Sequence, residues 1–398
     1  MLLILFPYKL TKSIFNGFQF NDLIKNVKTK IEFQDLSKII NPKWRKNYLE
    51  KKHLSATEFD SICKWKKDLS KKLNEEKKVY VLSMLDVNSL KSIFIHYILK
   101  KLNVEIIQYN SPEVFLPKKK NIFILTFFKA FFLFFKNSSR FFFALKRKLY
   151  WKIVLLMEYE KLSVLYSGSQ KSFNNYNAKK KEFINFNSSD YSYYLNFKKI
   201  KNNNNSNKNK KKKIIFLDSN APFVSDSRLF GFKIKYDVVE WYESLNYFLK
   251  KVEKIFNREI VIVPHPRARN SYNQIYDKNF DVLRDDDATI RSIKDCKFVL
   301  AISATTAVSF CVIYNKPINF IFNNQMKNQN PMALTYIKEV SRFLKTQFIN
   351  LNYDICKKDF NLKIDRKVYQ DYKFNYLTSK ETLKKRNYEI LNENFFNK

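Results

Sequence analysis

The chain is nearly devoid of glycine, with three in 398 residues: Gly17, Gly168 and Gly231. A G-x-G-x-x-G turn or a P-loop needs glycine where the backbone closes on a phosphate, so dinucleotide binding of that kind and P-loop phosphoryl transfer are excluded. No G-x-S-x-G elbow is present, which removes the common serine-hydrolase arrangement. Histidine is equally scarce, with three residues, and no H-x-x-x-H pair or Cys/His cluster supplies metal ligands. The four cysteines, Cys63, Cys296, Cys311 and Cys356, lie far apart with no C-x-x-C pair. Cys296 and Cys311 border or lie in apolar segments, where a thiol behaves as a small hydrophobe. Reduced thiols, no disulfide, no zinc and a cytoplasmic location are therefore expected. The opening Met1–Phe6 is too short for a signal peptide and leads into Pro7, so it reads as a strand. No uncharged apolar run reaches the roughly 18–20 residues of a spanning helix.

What is abundant is cation and aromatic. Lys and Arg number 74 against 37 Asp and Glu, a formal charge of +37. Such a balance attracts polyanions: nucleic acid, an anionic membrane surface or a phosphorylated substrate. The lysines are spread along the whole chain, which equally fits a compositional bias toward lysine on any solvated surface. No RNP pattern, zinc finger or helix-turn-helix accompanies the charge, so no specific nucleic-acid partner is expected. Residues 121–157 mix Phe, Leu and Ile with Lys and Arg. Two readings stand for them: a segment at the headgroup boundary of an anionic membrane, or buried helices with solvated lysines.

The length suggests two domains. Leu2–Phe6, Thr29–Phe33 and Lys78–Leu82 are short apolar runs of buried-strand type. From Val87 to Leu102 apolar residues recur every three or four positions, and Val104–Ile107 follows as another strand. Lys78–Tyr109 is thus a β-α-β unit, which argues for an α/β domain with parallel strands. Leu162–Tyr166 is a further run. Lys199–Lys213 is almost entirely Lys and Asn and reads as a linker. A second α/β pattern restarts at Ile214–Leu217, with a periodic helix over Val238–Phe256, strands at Glu259–Val263, Phe298–Ile302 and Pro317–Phe322, and a helical segment near Ala288–Asp295. A helix-like stretch runs from Met332 to about Phe348, and the last fifty residues read as basic and irregular. The expected organisation is residues 1–198 as one Rossmann-like domain carrying the 121–157 insertion, a linker at 199–213, a second domain at 214–330, and C-terminal helices at 331–398 packing back across the domains.

Two loops stand out in the second half. One is Pro264-His265-Pro266-Arg267, at the end of an apolar run. Prolines on both sides of His265 stiffen the loop. The other is Ser303-Ala304-Thr305-Thr306, which leaves one strand and opens an apolar helix. Free amides at that helix start, together with the hydroxyls, suit a phosphate, although a Ser/Thr group there also serves as an ordinary N-cap.

The pair resembles the HP and Ser-Ser/Thr motifs of bacterial sialyltransferases and related surface-carbohydrate biosynthesis enzymes. The resemblance spans about Ile214–Phe322 and implies the GT-B architecture: two Rossmann-like α/β domains with parallel sheets facing a central cleft. It further implies a metal-independent, inverting glycosyltransferase that moves a sialic-acid-like sugar from a CMP-sugar, its co-substrate, to a glycan or glycolipid at the cell surface. Such an enzyme needs no other cofactor and works in the cytoplasm, at most peripheral on the inner face of the membrane. In the family the HP histidine assists departure of the phosphate and the Ser/Thr loop holds it, roles that fall here to His265, Ser303, Thr305 and Thr306, with Arg267 beside them. Independently of any family, positioned donors stabilise charge that grows on a leaving phosphate. An imidazolium can add a proton, a contribution of about 10²–10⁴-fold.

The acceptor hydroxyl needs a base. The family's acidic motif ending in glycine is absent in literal form. Asp218 and Asp226, in the loop after the first strand of the second half, are the candidates, with Glu243 on the next helix third; Asp218 could equally cap its own loop. Asp285-Asp286-Asp287 reads as helix-start charge, because three adjacent carboxylates point apart. Two further readings remain: transfer of a polyol phosphate from a CDP-alcohol, and a basic nucleic-acid-binding protein.

Overall fold

The structure is a computed structural model that describes residues 1–11, 15, 18–42, 55–85, 87, 89–110, 138–169, 177–201, 212–223, 235–265, 275–285, 287–305 and 307–397. It divides into two compact units. The first holds the described residues within 1–111, 120–189 and 378–398, and the second those within 190–377.

The first unit is built on a seven-stranded, wholly parallel sheet of order β3-β2-β1-β4-β5-β6-β7. Its elements run β1 (Leu2–Phe6), α1 (Phe20–Asn26), β2 (Ile31–Asp35), α2 (Ser37–Ile40), β3 (Ala56–Glu58), α3 (Ile62–Glu75), β4 (Tyr80–Ser83), α4 (Leu90–Lys101), β5 (Glu105–Asn110), α5 (Ser138–Leu155), β6 (Glu158–Ser167) and β7 (Asn177–Phe186). β1 is apolar throughout because both of its faces are covered. Alternate side chains feed two cores. Leu3 and Leu5 join Trp65, Val81, Ile98 and Val164 on one face. Leu2, Ile4 and Phe6 join Phe20, Phe33 and Leu82 on the other.

That second core is completed from the far end of the chain, where Ile390, Leu391 and Phe395 pack into it. Asn187, fully buried after β7, holds the same segment in place. Its amide donates to the Thr382 and Lys385 carbonyls at 3.2 and 2.7 Å and its Oδ1 accepts from Thr378 at 2.6 Å. The edge strand β7 carries Lys179, Lys180 and Lys181 in sequence, which keeps its open side unattractive to another strand.

The second unit begins with α6 (Ser189–Lys201), so the division falls before the Lys/Asn stretch; residues 202–211 lie outside the described residues. Then come β8 (Ile214–Asp218), α7 (Val238–Phe256), β9 (Ile260–Pro264), β10 (Asp281–Val282), α8 (Ala288–Asp295), β11 (Val299–Ala301), α9 (Val308–Ile313), β12 (Ile318–Phe322), α10 (Asn324–Gln329), α11 (Pro331–Phe343), β13 (Phe348–Asn350) and α12 (Arg366–Tyr372). The expected helix over 332–348 ends early. Lys345 turns left-handed (φ 52°) and Phe348–Asn350 joins the sheet instead. The six strands, all parallel, take the order β10-β9-β8-β11-β12-β13. The last helix, α13 (Asn387–Leu391), returns to the first unit. The chain is therefore α/β with two Rossmann-like parallel sheets. Among the described residues no helix is long and apolar enough to cross a membrane.

Of the aromatic-basic stretch, 121–137 lies outside the described residues and α5 covers 138–155.

Candidate functional site

In each sheet the strand order reverses once. In the second unit the first strand of the sequence, β8, lies between β9 on one side and β11 on the other. The connection from β8 runs to β9 on one side and the one from β10 crosses back to β11 on the other, so a crevice opens beyond the carboxyl ends of β8 and β11, where open α/β sheets take their ligands. The residues there are Asp218-Ser219-Asn220 after β8 and Ser303-Ala304-Thr305 after β11.

Asp218 is 3% exposed. Its Oδ1 accepts the Asn220 amide at 2.8 Å, closing an Asx turn that lets Asn220 adopt a left-handed conformation (φ 57°). Its Oδ2 accepts the Tyr242 hydroxyl at 3.4 Å and the Tyr276 hydroxyl. The two rings meet edge to face, centroids 5.4 Å apart. Burial raises the Asp218 pKa, while the Tyr276 hydroxyl, the Asn220 amide and the Tyr242 hydroxyl work against that rise. Both carboxyl oxygens are thus occupied by donors of the protein itself. The same desolvation, reinforced by the Asp218 charge, raises both tyrosines far above their ordinary value and keeps them neutral. Tyr276 follows the segment that leaves His265, so the carboxylate ties the far end of that segment to the tip of β8.

Ser219 and Ser303 flank the reversal point, one on each side. Both residues are half-buried, and each Oγ is shielded with no hydrogen-bond partner among the described residues. Native structures leave few buried polar atoms unpaired. Among the described residues no side chain caps α9: its N-cap is Ala307, and the Thr305 carbonyl accepts the Val308 amide at 3.1 Å. The N-cap reading of the hydroxyls is therefore not what the described residues do.

His265 is half-buried, one residue beyond the Pro264 that ends β9. Pro264 is in register with Asp218, and Ala301 of β11 with Leu217. β8 consequently stands between the two loops that the sequence singles out. At about 4.8 Å per strand the backbones of β9 and β11 are roughly 10 Å apart, room for one phosphate-sized group over the tip of β8. Arg267, Thr306 and Asp226 lie outside the described residues. Glu243 is exposed on α7. Asp285 pairs with Arg291 at 2.7 Å, and Asp287 accepts the Tyr193 hydroxyl, which engages two members of the acidic triplet in structural contacts. No group of carboxylate, Cys and His side chains suited to a metal exists among the described residues. Sequence reasoning passed over Ser219. The signal was its place directly after the first strand of a second α/β pattern, where such folds meet their ligand.

Neither a protein-family model nor a curated protein sequence matches the chain. Among solved structures it is similar to Os79 from O. sativa in complex with UDP and deoxynivalenol-3-glucoside, with 9% identity over 99% of this chain and 95% of that one and a TM-score of 0.47. It is similar to Phytolacca americana UGT2 complexed with UDP-2fluoro-glucose and pterostilbene, with 8% identity, 98% and 93% coverage and a TM-score of 0.44. It is also similar to Acinetobacter baumannii MurG, with 8% identity, 97% and 94% coverage and a TM-score of 0.40.

Proposed function

We propose that the chain is a glycosyltransferase whose second unit binds a nucleotide-sugar through its phosphate, over the tip of β8. The observation that carries this is the pair of shielded, unpartnered hydroxyls, Ser219 and Ser303, on the two sides of the strand-order reversal. Because neither hydroxyl has a hydrogen bond to give up among the described residues, rotation about χ1 brings each toward a phosphate oxygen at little cost. Thr305 and Thr306 extend the same loop, and Arg267 follows His265 with the fixed charge that a phosphate would meet. His265 approaches the group from the β9 side and donates as charge develops on the departing phosphate. The donor is a CMP-activated, sialic-acid-like sugar, a choice that rests on the resemblance of the His265 and Ser303 loops to that family's motifs. The acceptor is a glycan or glycolipid. With its oxygens occupied, Asp218 suits the holding of the His265 segment. The base role then falls to Asp226, the other carboxylate of its loop. Among the described residues nothing offers a metal site, and the chemistry as drawn does not require one.

Calorimetric titration of the purified protein with CMP, UDP and CDP-glycerol reads the donor class directly. CMP is expected to bind at least ten times more tightly than UDP, and Ser219→Ala with Ser303→Ala to weaken it by about 30-fold, the value of two net hydrogen bonds. In CMP-release assays over a panel of CMP-sugars, His265→Ala is expected to lose 10²-fold or more in kcat. Full turnover by His265→Ala, or equal binding of CMP by the double serine variant, would refute the assignment. Preference for CDP-glycerol over every CMP-sugar would instead support phosphotransfer from a CDP-alcohol.

A further inference from the structure

Helices α4 and α5 lie side by side over the Leu3/Leu5 face of the first sheet. α4 buries Ile93, Ile95, Ile98 and Leu99 beneath it. Its opposite side carries Leu90, Phe94 and Tyr97, each 45–66% exposed and spaced by four and three residues, so they form one stripe. The Phe94 and Tyr97 rings stack at 6.1 Å. α5 buries Tyr150 and Val154, and turns outward Leu145, Leu149 and Leu155, with Leu156 directly after, at 43–83% exposure. Six of the thirteen large apolar side chains exposed among the described residues therefore sit on these two helices, and Leu156 beside them is a seventh. Water gains nothing from such a concentration, and on a protein surface it marks an interaction site.

The charge on the same two helices is of one sign. Lys91, Lys100 and Lys101 on α4 and Lys146, Lys148 and Lys152 on α5 are all exposed. Neither helix sequence contains Asp or Glu. None of the six lysines is in an ion pair among the described residues; Lys146 lies over the Tyr150 ring, 5.5 Å from its centre. Long lysine stems can lie along leucines while their ammonium groups reach outward.

We infer that the outer face of α4 and α5 docks on an anionic lipid bilayer. Apolar side chains enter the acyl boundary while ammonium groups meet the headgroup phosphates, the arrangement by which helices lie in a membrane surface. Charge decides between occupants. A second copy of the chain would set this cationic face against its own like charges. A nucleic acid would match the lysines but leave the leucines and Phe94 in water. The inference stands apart from the transferase reading and survives its failure.

The test is co-sedimentation of the full chain with phosphatidylcholine vesicles, alone or with one quarter phosphatidylglycerol. Binding is expected to the anionic vesicles and not to the neutral ones. Lys146→Glu, Lys148→Glu and Lys152→Glu together are expected to lower partitioning by about 10²-fold or more, since each lysine near an anionic surface is worth roughly fivefold and each glutamate adds repulsion. Leu149→Ser with Leu156→Ser, which leaves the charge unchanged, is expected to lower it by about tenfold or more. Lys294→Glu, Lys297→Glu and Lys338→Glu, three exposed changes on the second unit, reverse the same charge and are expected to keep binding within about threefold. All these side chains are exposed, so circular dichroism should report an unchanged fold. The inference is overturned if the wild type ignores anionic vesicles. It is likewise overturned if the second-unit variant loses as much binding as the α5 variant, which would make net charge the cause. Retained binding by the double leucine variant, or a lipid-free dimer that this variant dissolves, would overturn it as well.

Discussion

His96 makes the stability of the first unit sensitive to acid in a way that can be calculated. The side chain is fully buried on α4, with Nδ1 2.9 Å from the Tyr159 hydroxyl. Burial alone lowers its pKa from 6.5 to about 4. The unfolded chain therefore takes up a proton near pH 6.5, and the folded one does so only near 4. The stability that the neutral imidazole contributes is complete above the unfolded value and is lost as the pH falls from 6.5 toward 4. Linkage puts the loss between pH 7 and pH 5 at about 2 kcal/mol. His96→Gln keeps a polar group for Tyr159 but cannot titrate. Urea unfolding of wild type and variant at the two pH values gives a double difference in which the intrinsic cost of the substitution cancels. With a slope near 2 kcal/mol per molar, the wild-type midpoint should fall about 1 M further than the variant's on acidification. Parallel shifts in the two proteins would mean that the folded imidazole titrates near its ordinary value and that the site is wet. A larger shift in the variant would reverse the sign and refute the linkage altogether.

Other outcomes follow from the same geometry. Asp218→Asn should lower stability by about 1–3 kcal/mol through its three donors. It should change kcat less than tenfold and leave the acidic limb of the pH–rate profile in place, whereas Asp226→Asn should abolish that limb. Asn187→Ala removes the donor to the Thr382 and Lys385 carbonyls and the acceptor of the Thr378 hydroxyl; Thr382 keeps the Lys385 amide and Thr378 the Ser379 carbonyl, so the loss should be about 1–3 kcal/mol. Limited proteolysis should then cut within 378–398 before any other part of the first unit.

Much of this fold is legible in the sequence because burial writes it plainly. Leu2–Phe6, Ile214–Asp218 and Ile260–Pro264 are covered on both faces, so each reads as an unbroken apolar run. Val238–Phe256 is read to its ends because it is long and periodic and starts at the Asp237 N-cap. β7 is invisible by the same reasoning. As an edge strand it is half solvated, and three consecutive lysines erase its alternation. β3, β10 and β13 are two or three residues long, below any periodic signal. The last residues lack a period because they fill a groove in a distant core as single turns. At the candidate site the sequence identifies the loops but not their neighbours. Strand order is a property of the whole sheet, and only the order β9-β8-β11 shows that Ser219 stands between His265 and Ser303.

The return of Ile390, Leu391 and Phe395 to the first sheet has a consequence for synthesis. A ribosome that has made β1 through β7 has made everything around that greasy slot except the wedge that closes it. Residues 190–377 must emerge first, and at typical elongation rates that takes about ten to forty seconds. For that interval the nascent chain carries an open apolar seam, a natural ligand for chaperones that attend emerging chains, and the first unit closes only after the second has been made.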